Sequence, residues 1–229
     1  MARLLRALLL VQLWIASSAS AARPVLALQP LGTTIRPEAI AAVEQALRAF
    51  YDVELLTLPP VPMPKRAWTE PRRRWRAEIL LDELEARRPP RAERILGVTA
   101  DDISTSKGDI KDWGVLGLAR LDGRVCVISS FRVGRGVRAE AARVRLAKVA
   151  VHEIGHTLGL EHCPTVGCLM EDAQGKVTTC DREVDLCARC RGHLERTGRP
   201  AKTGIGAPWS VTTLPASPSG GRSGRLGGR

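Results

Sequence analysis

The sequence predicts a mixed α/β domain. Three features predict it: a β-α-β opening, a pair of β-rich runs flanking Asp122-Gly123, and one long helical stretch ending at Gly159. A chain of 229 residues is long enough for one sizeable domain, or for one domain with a small appendage. Its 44% hydrophobic content against 26% charged residues belongs to a folded chain, and with only 3% aromatics the core has to be built from Leu, Val, Ile and Ala.

Residues 1–21 read as a signal peptide, with Arg3 and Arg6, an apolar stretch from Ala7 to Ala16, and the small residues Ala19-Ser20-Ala21. The apolar stretch is shorter than the ~20 residues a spanning helix needs, so no stable membrane span is expected after cleavage. Export to a periplasm or the medium is the expectation, ahead of a cytoplasmic location. An uncleaved anchor, an arginine-rich transit sequence or a misplaced start codon are the rival readings.

Pro24 to Gly32 is a short apolar run closed by Pro and Gly, which predicts a buried strand. Ile40, Val43, Leu47 and Phe50 then recur at helical spacing after Pro37, and Val53 to Leu58 predicts a second strand, parallel to the first through a right-handed crossover. Pro59 to Pro71 is too proline-rich for a helix or central strand and predicts an extended surface loop. Trp75, Ile79, Leu80 and Leu84 predict a helix over Arg72–Arg87, and a third strand follows from Arg94, leading into an acidic loop. Trp113 to Val133 predicts an antiparallel pair about a tight type I′ turn at Asp122-Gly123. Ala139 to Leu158 predicts a long helix stopped by Gly159 in a left-handed cap, and beyond it the chain shifts to a Gly/Ser/Pro/Arg-rich basic tail, expected to be mostly disordered over 197–229.

His152 and His156 lie four residues apart, so on a helix both imidazoles leave one face about a turn apart and can grip one Zn²⁺. Glu153 sits beside them as a candidate general base for a water molecule. The third candidate ligand, His162, is off that face, and a turn at Gly159 would bring it back. The pattern H-E-x-x-H-x-x-G-x-x-H therefore specifies a three-histidine site with one open position, the arrangement of a catalytic zinc.

Cys163, Cys168, Cys187 and Cys190 form C-x4-C and C-x-x-C pairs, the ligand spacing of a closed structural zinc site. Two zinc ions per chain are thus expected, one catalytic and one structural. Disulfides are the competing reading for an exported chain, including a Cys126–Cys180 pair; otherwise Cys126 is a buried thiol and Cys180 is unassigned. Met170 is either core filler or a hydrophobic floor beneath the ligands, and His193 is expected to be exposed. The formal charge of +11 comes mostly from scattered arginines, so no specific nucleic acid is expected. The zinc motif makes a peptide or protein the expected partner, and a monomer is expected. Two other function classes stand beside a peptidase: a zinc-stabilised binding module with a basic surface, and a thiol redox protein using Cys187 and Cys190.

The stretch H-E-x-x-H-x-x-G-x-x-H-C-x4-C-x-M, followed by C-x-x-C, resembles the archaemetzincins, a branch of the metzincin zinc peptidases. "ILGVTADDI" and "GLARLDGRVCVISSFRV" are similar to that family too, and the likeness runs from about Pro24 to Gly192. The resemblance implies a metzincin-like mixed sheet with packed helices and a long active-site helix over residues 22–196. It implies a small C-terminal zinc subdomain at about 160–192 within that domain. It further implies catalytic zinc on His152, His156 and His162, Glu153 as general base, Met170 as the Met-turn residue, and a second zinc on the four paired cysteines.

Overall fold

The computed structural model describes residues 22–70, 72–199, 201–202 and 209; the expected leader at 1–21 lies outside them. β1 (Val25–Leu31) leads into α1 (Pro37–Phe50), whose Pro37 occupies the first turn where a missing N–H costs nothing. β2 (Glu54–Thr57) returns parallel to β1, with Val25 opposite Glu54, completing the β-α-β opening.

The proline-rich segment is not a plain surface loop. Val61, flanked by Pro60 and Pro62, still offers one donor and one acceptor, and uses both: its N–H reaches Pro30 at 3.1 Å and its carbonyl accepts from Gly32 at 2.8 Å. A 3₁₀ turn at Lys65–Ala67 buries Ala67 completely and leads into β3 (Trp68–Thr69). The helix expected over Arg72–Arg87 is also divided. β4 (Arg74–Arg76) comes first, and α2 runs from Ala77 to Arg87. Trp75 pairs with both Trp68 and Ile103, and its ring meets Trp68 edge-on at 5.0 Å, so sheet pairing outcompetes helical continuation there.

β5 (Arg94–Thr99) is followed by a hairpin that sequence reasoning missed, β6 (Ile103–Lys107) and β7 (Ile110–Val115), turning at Gly108 with φ of 55°. Trp113 belongs to β7 and hence to this second sheet, ordered β3-β4-β6-β7. The predicted antiparallel pair is therefore shorter, β8 (Gly117–Ala119) against β9 (Val125–Ser129). Its turn is not type I′. Asp122 alone takes positive φ (48°), while Gly123 donates to Arg120 at 3.0 Å. The reason is tertiary, because the Asp122 N–H is drawn to the His156 carbonyl at 2.9 Å.

α3 (Ser130–Val133), capped by the Ser129 hydroxyl, precedes α4 (Ala139–Thr157); α5 (Thr179–Arg182) and α6 (Ala188–Arg196) complete the chain. The main sheet is ordered β2-β1-β5-β9-β8, parallel except for β8 at the edge. Period-two alternation divides its faces. Leu26, Leu28, Leu96, Val98, Cys126 and Ile128 join the core shared with α1 and α4, whereas Ala27, Leu31, Ile95, Val125 and Val127 pack with Leu80 and Leu84 of α2. Four parallel strands, with faces covered by α1 and α4 on one side and α2 on the other, explain the near-continuous apolar runs in the sequence.

Within the segment 197–229, Arg199 ion-pairs with Asp122 at 2.8 Å, Ala201 bridges Tyr51, and Trp209 stacks on Phe50 at 5.5 Å. These residues pack against the domain. No helix among the described residues is long and apolar enough to cross a membrane.

Candidate active site

α4 carries Val149, His152, Glu153 and His156 at i, i+3, i+4 and i+7, one stripe that opens onto a cleft of 610 Å³. The helix ends as the sequence predicts. Gly159 takes φ of 87°, its N–H reaches the His156 carbonyl at 3.0 Å, and the Leu160 N–H reaches back to Gly155 at 3.0 Å, a Schellman closure. The turn delivers His162, whose ring centroid lies 4.8 Å from that of His156 and 5.4 Å from that of His152.

The three imidazoles each offer one nitrogen to a common centre, all within 4.8 Å of one another. His152 Nδ1 lies 2.7 Å from the Leu169 carbonyl and His156 Nδ1 lies 2.6 Å from the Leu160 carbonyl. A carbonyl only accepts, so both Nδ1 atoms carry the proton, and both Nε2 lone pairs face each other at 3.0 Å. Burial, reinforced by His156, holds His152 down at about 3, so protonation does not relieve the opposition of lone pairs. The donor set fits zinc. Tetrahedral bonds of ~2.05 Å would place ligand nitrogens about 3.3 Å apart, close to the 3.0 Å between His152 and His156.

Glu153 is only 6% exposed, and its carboxylate has no hydrogen-bond partner among the described residues. Burial pushes it up to about 8. It lies against Gly117 on β8, where an added Cβ would fall 2.5 Å from Oε1, so only glycine leaves the carboxylate room. In the zinc-free protein these shifts oppose one another. His152 sits below its ordinary 6.5, so its contribution to stability is lost as pH falls through that value; Glu153 sits above its ordinary 4.5, so its contribution is lost as pH rises from there to about 8. Glu153→Gln is therefore expected to be more stable than the parent at pH 8 in chelator-treated protein, with the gap closing toward pH 5. Urea titrations at both values check it, and an equal gap at each would show that the carboxyl is not desolvated.

Met170, fully buried, lies beneath this stripe. Its sulfur would be 2.6 Å from a Cβ on Gly155, which explains a glycine inside a helix between two histidines. Gly155→Ala is expected to cost about 1–3 kcal/mol by overpacking and to weaken zinc binding at the histidines. Thermal unfolding and zinc titration test this together, and unchanged affinity would make Met170 simple filler.

The four cysteines converge as well, with Cys163 and Cys187 sulfurs 3.6 Å apart and those of Cys168 and Cys190 3.7 Å apart. Bonds of ~2.3 Å to a tetrahedral zinc give sulfur separations of about 3.8 Å, so this set also fits. The Cys190 thiol and the Cys187 N–H, 3.4 Å away, hold Cys168 below the ordinary thiol range, the direction a thiolate ligand requires. All six cysteines are free, so the Cys126–Cys180 disulfide is absent: Cys126 is buried in β9 and Cys180 in α5. His193 joins neither cluster and instead stands against Gly159. The sole tyrosine, Tyr51, is buried and donates to the Val151 carbonyl at 2.8 Å, away from the cleft.

The two clusters share one loop. The carbonyl that fixes His152 belongs to Leu169, between Cys168 and Met170, and the Cys163 N–H donates to Met170 at 2.7 Å. Glu171 then anchors the loop by accepting from the Gly167 N–H at 2.9 Å and from Arg182. Sequence reasoning missed Gly117, Gly155 and Asp172, whose carboxylate lies 4.0 Å from His162 Nδ1. The glycines carry no side chain to reveal a role, and only their closeness to Glu153 and Met170 does so.

The sequence model of peptidase family M54 matches residues 57–196. The chain belongs to this family, the archaemetzincins. Archaemetzincin from Halobacterium salinarum is 32% identical over 154 residues, covering 64% of this chain and 86% of that protein. The crystal structure of archaemetzincin from Methanopyrus kandleri superposes with a TM-score of 0.68 at 27% identity, covering 79% and 98% of the two chains. That from Archaeoglobus fulgidus, complexed with malonate, gives 0.63 at 30% identity over 74% and 99%. An archaemetzincin is a zinc metallopeptidase with a mixed α/β fold, so family membership favours peptide hydrolysis over a binding module or a thiol redox protein.

Proposed function

We propose that the protein hydrolyses peptide bonds in the cleft, with zinc held by His152, His156 and His162 and Glu153 as general base. The observation that carries this reading is the Glu153 carboxylate, desolvated on the same helical stripe as two imidazoles whose free nitrogens converge. Bound zinc supplies Lewis acidity toward a carbonyl oxygen or a water. Glu153 takes the proton of the attacking water at its carboxylate oxygen and returns it to the departing amine; a raised basicity suits both transfers. With Tyr51 committed to Val151, no phenol stands in the cleft to donate to the tetrahedral oxyanion. β8, the sheet edge lining the cleft, offers unpaired backbone groups to an extended substrate.

The four-cysteine set holds a second, structural zinc that contributes folding energy and fixes the loop bearing Leu169 and Met170. Zinc-loaded protein incubated with a diverse peptide library, read by mass spectrometry, tests the activity. Cleavage suppressed by chelator and restored by zinc is the expected result, and intact peptides under all conditions would refute it.

A further inference from the structure

The cleft is acidic on a strongly basic chain. The sequence carries a formal +11, yet Glu153, Glu161, Glu171, Asp172 and Glu183 line the cleft against one lysine, Lys107, no arginine and the three histidines. Most of these acids are already engaged. Glu171 accepts from Arg182 and the Gly167 N–H, Asp172 stands beside His162, and Glu153 belongs to the proposed chemistry.

Glu183 is different. It is only 3% exposed, and among the described residues its carboxylate accepts no hydrogen bond and pairs with no cation within 4.0 Å. Lys148 is its nearest cationic neighbour in charge, but that ammonium is taken by the carbonyls of Cys180 and Glu183 at 2.8 and 2.6 Å and lies over the Trp209 ring. Glu183 lines the cleft, as do Val149 and Cys180. Val149 precedes His152 and Glu153 by one helical turn, about 5 Å along the α4 axis. A buried carboxylate without a partner is costly unless a cation completes it.

We infer that Glu183 is a specificity-determining residue that receives a basic side chain of the peptide substrate, lysine or arginine, in the cleft that His152, Glu153 and His156 also line. The inference rests on the cleft being the peptide site. A peptide N-terminal ammonium has the same charge chemistry, and acetylated peptides distinguish it from a side chain.

Binding is measured on the zinc-loaded Glu153→Gln protein, so that it is read without turnover, using N-acetylated peptides that differ only in lysine or norleucine at each position in turn. Lysine is expected to bind about 10- to 100-fold tighter at one position, and this preference should disappear in Glu153→Gln/Glu183→Gln while the norleucine peptide binds as before. The Glu183→Asp version should keep part of the preference and controls for folding, since a merely structural role would move stability without moving the lysine-to-norleucine ratio. Equal binding of lysine and norleucine peptides everywhere, a preference that survives loss of the Glu183 charge, or one that vanishes on acetylation would each overturn the inference. A lysine preference in a protein whose parent cleaves nothing would instead refute the peptidase reading and leave this recognition standing.

Discussion

Glu153→Gln is expected to lower peptide hydrolysis by about 10²–10⁴-fold while zinc remains bound at the histidines. The exchange keeps the side chain's volume beside Gly117, so the cleft is not reshaped, but an amide accepts no proton at the relevant basicity. Neither Nδ1 anchor involves Glu153: His152 holds to Leu169 and His156 to Leu160. Metal content by elemental analysis should therefore match the parent. Loss of zinc along with activity would assign Glu153 to holding the site together, and retained activity would remove it from the chemistry altogether.

Cys187→Ser is expected to have the largest effect on stability, several kcal/mol, because structural zinc binding is folding free energy. Cys187 supplies a sulfur 3.6 Å from that of Cys163, so the exchange removes one of the four thiols while the backbone N–H to Cys168 stays in place. The damage should travel. Leu169 follows Cys168 directly and its carbonyl orients His152, so affinity for zinc at the histidines should fall as well. Two zinc ions per parent chain, and fewer than one in the variant with a lowered unfolding temperature, is the expected outcome. One zinc per parent chain, with the variant as stable and active, would show that the cysteines hold no structural metal.

The histidine stripe was legible from local rules. A spacing of four on a helix puts His152 and His156 on one face, and a residue that tolerates positive φ has to stand where the chain turns to bring His162 back; Gly159 takes 87°. The paired cysteine spacings likewise foretold a convergent set. The small sheet was not legible in the same way. β6 and β7 are rich in Ser, Thr, Lys and Asp, with little apolar alternation, and β4 lies inside an otherwise helical pattern until Trp75 meets Ile103.

What the sequence by itself determined is the candidate histidine set, the helix that carries two of the three and the glycine that ends that helix, because each follows from bonding within a few residues. Only the tertiary structure decided that Gly117 and Gly155 make space for Glu153 and Met170, that Asp122 rather than Gly123 turns the edge hairpin, and that Glu183 opens on the cleft. Those outcomes depend on which distant backbone approaches, and close approach between segments far apart in the chain leaves no local pattern to read.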